Sequence, residues 1–181
     1  MISNNFYPYV IIFFLAGFLF VAGCSKSDDQ REFENQSLSA PNDYTETPTG
    51  GEITNNDPDD WRVSPMYQSR IYIGTGISSF EPPYPNPLNY NQDLNIFIYV
   101  SNVDNLDEIR VYSFETNPNT SEQFVTLEDN ISSPSLVSIR LSGQEISGQP
   151  GGSEANGLYR IRILDGNLNV ITYGDIKIGT E

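Results

Sequence analysis

From Trp61 onward the sequence alternates. Short segments place an apolar residue at every second position, and that period confines the chain to half-buried β-strands. "RIYIGTG" (70–76) sets Ile71 and Ile73 against Arg70 and Tyr72. "LNIFIYV" (94–100) puts Leu94, Ile96, Ile98 and Val100 on one face and Phe97 and Tyr99 on the other, the pattern of a strand covered on both sides. "EIRVYSF" (108–114), "SLVSIRL" (135–141), "GLYRIRIL" (157–164) and "LNVITYGDIKI" (168–178) repeat the alternation, and "QFVTLE" (123–128) carries it more weakly. Turn-forming runs separate them, among them "PNPLNYNQD", "DNISSP" and "GQPGGSEANG". "DGN" between the last two segments signals a short hairpin. No helical period appears after residue 61. The expected class is all-β, a single antiparallel sandwich of about seven strands over residues 61–181.

One local motif sharpens that class. "ANGLYRIRI" resembles the tyrosine corner of immunoglobulin and fibronectin type III domains, with Gly157, Tyr159 and Ile161 in the matching positions. The resemblance implies an immunoglobulin-like sandwich in which the Tyr159 ring is buried and its hydroxyl donates to a backbone group within "PGGSEAN". The cysteine pair of an antibody domain is missing, because Cys24 is the only cysteine.

Ahead of the sandwich lie two different stretches. Residues 10–22, "VIIFFLAGFLFVA", are apolar or small throughout. Such a run suits a secretory signal better than a membrane span, which needs about 20 residues. It ends in Val21-Ala22-Gly23-Cys24, which resembles the lipobox of bacterial lipoproteins. The resemblance implies a signal peptide over 1–23 and lipidation of Cys24. "SKSDD" after it is similar to the export signal of surface-exposed lipoproteins in the Bacteroidota, which implies an outer-membrane, surface-exposed, lipid-anchored protein. Residues 25–60 then hold 10 acidic and 2 basic side chains, a net of −8 (2 − 10). Few apolar residues interrupt them, so 24–60 is expected to be a lipidated cysteine followed by a disordered acidic tether. A short helix over 28–38 would be marginal alone.

Charge and composition exclude several functions. The chain carries 24 acidic and 9 basic residues, a net charge of −15, which argues against nucleic acid as a partner. It contains no histidine, so the commonest general base and metal ligand is missing. No catalytic constellation is visible, and no enzyme activity, cofactor or metal is expected. "NVDNLDE" (102–108) could offer oxygens from Asn102, Asp104 and Asp107 to calcium, but it reads as a turn. Arg110, Arg140, Arg160 and Arg162 alternate outward and are expected to pair across strands on a solvated face. The proline-rich loop "SSFEPPYPNPLNYNQD" (78–93) carries Phe80, Tyr84 and Tyr90. These aromatics could stack on sugar rings, or could fold back to close one end of the sandwich. The leading expectation is a lipid-anchored envelope protein presenting a binding or accessory module, its partners the membrane and envelope proteins. The alternative is a glycan-binding component of a nutrient-uptake system.

Overall fold

A computed structural model describes residues 26–103, 106–115 and 122–179. Cys24, the apolar run before it and Asp104 lie outside the described residues. Among those described, seven strands form: β1 (Ile71–Ile73), β2 (Asp93–Val100), β3 (Glu108–Glu115), β4 (Gln123–Asp129), β5 (Ser135–Ser142), β6 (Gly157–Asp165) and β7 (Val170–Ile178). Each coincides with one alternating segment of the sequence. They make two antiparallel sheets, β1-β2-β5 and β4-β3-β6-β7. The chain crosses between the sheets from β2 to β3, from β4 to β5 and from β5 to β6, and this is the order of an immunoglobulin-like sandwich.

The period-two pattern explains the core. Leu94, Ile96, Ile98 and Val100 of β2 meet Ile109 and Val111 of β3, Val137, Ile139 and Leu141 of β5, and Ile161 and Ile163 of β6. Each is buried, and burying such a side chain is worth about 1.5–3 kcal/mol. Tyr159 opens β6, is 1% exposed, and donates from its hydroxyl to the Ala155 carbonyl at 3.0 Å. This is the tyrosine corner that the motif implies. Burial, then the charge of Glu115, pushes its phenol up to about 12, so the donor is always present.

A short helix, α2 (Gly143–Ser147), follows β5. Ser142 and Glu145 form a reciprocal capping box, and Gly148 ends the helix at φ 63. The Ser-x-x-Glu spacing stands in the sequence, but five residues are too few to show a helical period.

The expected tether is instead folded onto the sandwich. Helix α1 (Asp28–Ser37) is capped by Ser27, whose side chain accepts from the Gln30 N–H, and carries Asp28 and Asp29 in its first turn. Phe33 packs with Leu164, Val170 and Tyr173 on the outer face of the four-stranded sheet. Gln30 donates to the Val170 carbonyl and accepts from the Met66 N–H. Residues 61–64 then run beside β7: the N–H groups of Trp61 and Ser64 donate to the carbonyls of Tyr173 and Ile171. Trp61 is buried against Gly174, where a Cβ would overlap the indole. The other half of the β7 edge receives Asn86 and Leu88 of the proline-rich loop. An edge covered in this way is closed to strand addition. Composition predicted disorder because few apolar residues are present. The segment is held mostly by polar contacts, many of them to partners more than 100 residues away, which composition does not register.

Candidate functional site

The first concentration of charge lies where the N-terminal segment meets the sheet. Arg160 and Asp175 are directly opposed on β6 and β7. Their side chains form a two-pronged ion pair, Nε to Oδ1 at 2.6 Å and Nη2 to Oδ2 at 2.7 Å, and both are almost wholly buried. Nη1 of Arg160 donates to the carbonyls of Gln36 at 3.0 Å and Ser39 at 2.9 Å. Helix α1 has no basic residue in its last turn, so the sheet supplies the cation at the negative end of its dipole. The guanidinium also stands 4.9 Å from the ring centre of Tyr173. Arg162 donates to the Ser37 hydroxyl at 3.0 Å and pairs with Glu122 at 2.7 Å. Cross-strand pairing is as expected for Arg160 with Asp175 and for exposed Arg140 with Asp93, but the expected solvated face is corrected at Arg160 and Arg162. Arg160 and Arg162 are outward of the core but covered by α1, Arg110 pairs with Glu108, and Arg140 lies on the other sheet.

Asp60 completes this cluster. Its carboxylate accepts from the Thr45 N–H at 2.7 Å and the Asp175 N–H at 2.9 Å. Burial, then the nearby Asp175 charge, pushes it up to about 7 against those two bonds. Burial also raises Asp175, while Arg160 pulls it back. A carboxyl whose folded value lies above its unfolded value of 3.8 opposes folding once ionised. Its stabilising effect is full below the unfolded value and is lost as pH rises through about 7. We expect unfolding free energy to fall by about 2–4 kcal/mol between about pH 5 and 8, and Asp60→Asn to flatten the slope. Denaturant melts across this range measure it, and a stability that climbs toward pH 8 would contradict it.

The second region is the outer face of the β1-β2-β5 sheet. Tyr72 of β1 stands beside Tyr99 of β2, ring centres 6.4 Å apart, and Tyr84 stands beside Phe97 at 6.1 Å. Phe97 and Tyr99 alternate on one face of β2, so the four rings form a row along the sheet. All four are partly exposed, and Leu136, opposite Tyr99 on β5, is 49% exposed. Asn95, Ser138 and Arg140 flank the row with polar groups on the same face. The expectation that β2 is covered on both sides is corrected: among the described residues nothing covers this row. The two sheets thus reverse what their polarity suggests, the arginine face being covered and the aromatic face open.

Beside the row, an open cleft of about 750 Å³ runs along β1. Tyr72 lines it together with Trp61, Ile71 and Ile73, and the exposed Ile77 and Phe80 stand at its rim.

The three aromatics of the proline-rich loop part company. Phe80 faces the cleft, and Tyr84 joins the row. Tyr90 packs on the core, with its hydroxyl donating to the Gln149 carbonyl at 2.8 Å. The loop itself is a joint: buried Asn86 donates to the carbonyls of Thr45 and Asp175, and the Thr47 hydroxyl donates to that of Pro83. Phe97, Tyr99 and Tyr72 were not singled out as binding residues by the sequence. Their signal was present, as aromatics at the polar positions of alternating strands. Among the described residues no group of three or more acidic or cysteine side chains could hold a metal ion, and no helix is long and apolar enough to cross a membrane.

No family model and no curated protein matches this chain. Among solved structures it is similar to a superoxide reductase (neelaredoxin) from Ignicoccus hospitalis, at 13% identity and a TM-score of 0.36, over 61% of this chain and 80% of that one. A substituted form of that protein matches at 12% identity and a TM-score of 0.37, over 64% and 87%. These neighbours are named as enzymes, and the expectation that the chain has no catalytic activity is withdrawn on that finding. Likeness at this level does not carry their chemistry over.

Proposed function

We propose that this is a lipid-anchored protein of the bacterial outer membrane, presenting its sandwich at the cell surface as a binding module. The observation that carries the binding half is the open row of Tyr84, Phe97, Tyr99 and Tyr72 beside the cleft. Monomeric domains rarely leave large contiguous apolar surface uncovered unless something binds there. The anchoring half rests on Cys24 behind its apolar run. Replacing Cys24 with Ala is expected to abolish incorporation of an alkyne-tagged fatty acid and to release the protein from the membrane fraction. Equal labelling of the variant would end the anchor reading.

A glycan is the ligand that the row favours. Partly exposed rings with polar neighbours suit the apolar faces and hydroxyl rims of sugars, and the net charge of −15 disfavours anionic partners. Retention on neutral polysaccharide in affinity electrophoresis is expected for the native chain. A Phe97→Ala/Tyr99→Ala double variant should lose most of that retention, since stacking on one ring is worth about 1–3 kcal/mol in the comparable case of bases. Retention unchanged by the substitutions would move the ligand away from this face.

A further inference from the structure

The folding of the N-terminal segment fixes where a lipid would sit. Lys26 follows Cys24 by two residue steps, and an extended chain spans at most about 3.6 Å per step, so a lipid on Cys24 would start within roughly 7 Å of the Lys26 backbone. Lys26 is held: its ammonium pairs with Glu34 at 2.8 Å. It lines a shallow hollow with Gln30, Met66, Asn167 and Asn169, at the end of the sandwich that carries the β6–β7 turn. Resting on the proposed lipid at Cys24, we infer that the sandwich sits directly on the bilayer with the β6–β7 turn facing it, and not at the end of a spacer.

A second observation points to the same surface. Leu168 at the tip of that turn is 51% exposed, and Met66 beside the hollow is 37% exposed. Leu168 has φ 64, a conformation that side-chain-bearing residues seldom adopt. The turn is nonetheless fixed. Asp165 Oδ1 accepts from the N–H groups of Asn167 at 2.9 Å and Asn169 at 2.7 Å, and Oδ2 accepts from the Tyr67 hydroxyl at 2.6 Å. A rigid turn thus holds an apolar side chain outward at the end where the acyl chains would enter the membrane, and Leu168 and Met66 dip into the headgroup layer there. The opposite end, with the loop around Ser153, lies beyond the length of β7, roughly 26 Å away for eight residue steps of a strand. The aromatic row runs along the side between the two ends and remains open to ligand. Among the described residues lining the hollow the one cation is Lys26, paired with Glu34, so attachment comes from the acyl chains and orientation from the seat of α1.

Full-length protein, acylated in its native membrane and purified in detergent, tests this. Leu168→Cys and Ser153→Cys variants are labelled with a small fluorophore and placed in phosphatidylcholine vesicles carrying headgroup nitroxides, with the modification of Cys24 read by mass spectrometry. The label at 168 is expected to lose most of its fluorescence and shift to the blue, and the label at 153 to keep its emission. Equal quenching at both positions, quenching at neither, or stronger quenching at 153, with Cys24 acylated, would overturn the orientation and leave the anchor standing. An unmodified Cys24 would overturn both.

Discussion

Arg160→Ala is expected to cost about 3–5 kcal/mol, because removing one member of a buried ion pair strands the other. Asp175 is fully buried and has Arg160 as its ion-pair partner, with Asp60 nearby as a second buried carboxylate. The same substitution removes the donor to the carbonyls of Gln36, in the last turn of α1, and of Ser39, just past its end. Two consequences separate this from loss of packing alone. Segment 28–39 should become the first part of the chain cut by protease. The deficit should also shrink on acidification, since protonating Asp60 and Asp175 removes the repulsion that Arg160 offsets. Arg160→Lys keeps the charge but loses the fork that reaches two carboxylate oxygens and two carbonyls, so it should recover only part of the loss. Denaturant melts at two pH values give the numbers. A cost under about 1 kcal/mol for Arg160→Ala would mean that the pair does not hold the segment.

Tyr159 gives the second large effect. Tyr159→Ala leaves a cavity between the sheets and should cost about 3–5 kcal/mol, by analogy with Phe→Ala. Tyr159→Phe keeps the ring and removes only the donor to the Ala155 carbonyl, for a loss of about 0.5–1.5 kcal/mol. Ala155 is itself fully buried, so its carbonyl has little access to replacement water and the loss should fall in the upper half of that range. A domain with about 5–15 kcal/mol in total survives the Phe variant and is brought near its limit by the Ala variant. Melts of the whole chain measure the contrast. Equal losses for the two substitutions would remove the cavity, and with it the packing of this corner.

The strands were legible because burial between two sheets writes itself into the sequence as a period of two. Ile96 and Ile98 of β2, or Ile161 and Ile163 of β6, need no partner to be recognised. The bond of Tyr159 was legible because it is local, reaching back four residues to Ala155. The seat of residues 26–60 was not, since its bonds join Gln30 to Val170, Asp60 to Asp175 and Arg160 to Ser39. Such contacts leave no period and little hydrophobicity. Two signs did exist. In the last segment, "VITYGDIKI", alternation sets Ile171 and Tyr173 on the face opposite Val170, Ile176 and Ile178, and large apolar side chains on both faces of a strand require a cover. Trp61 also stands alone at the end of an acidic stretch, where a large apolar side chain needs somewhere to go. For the candidate site, alternation places Phe97 and Tyr99 on the outer face but does not say whether anything lies over them.

The most direct test of the N-terminal segment as part of the domain is amide hydrogen exchange on the intact chain. The N–H groups of Arg31, Thr45, Trp61 and Ser64 all donate within the fold, to Ser27, Asp60, Tyr173 and Ile171 in turn. Slow exchange at these positions, approaching that of β6 and β7, is the expected result, with protection over 28–39 lost selectively in Arg160→Ala. Exchange over 26–60 at the rate of an unstructured chain, beside a protected sandwich, would contradict it and restore the flexible tether.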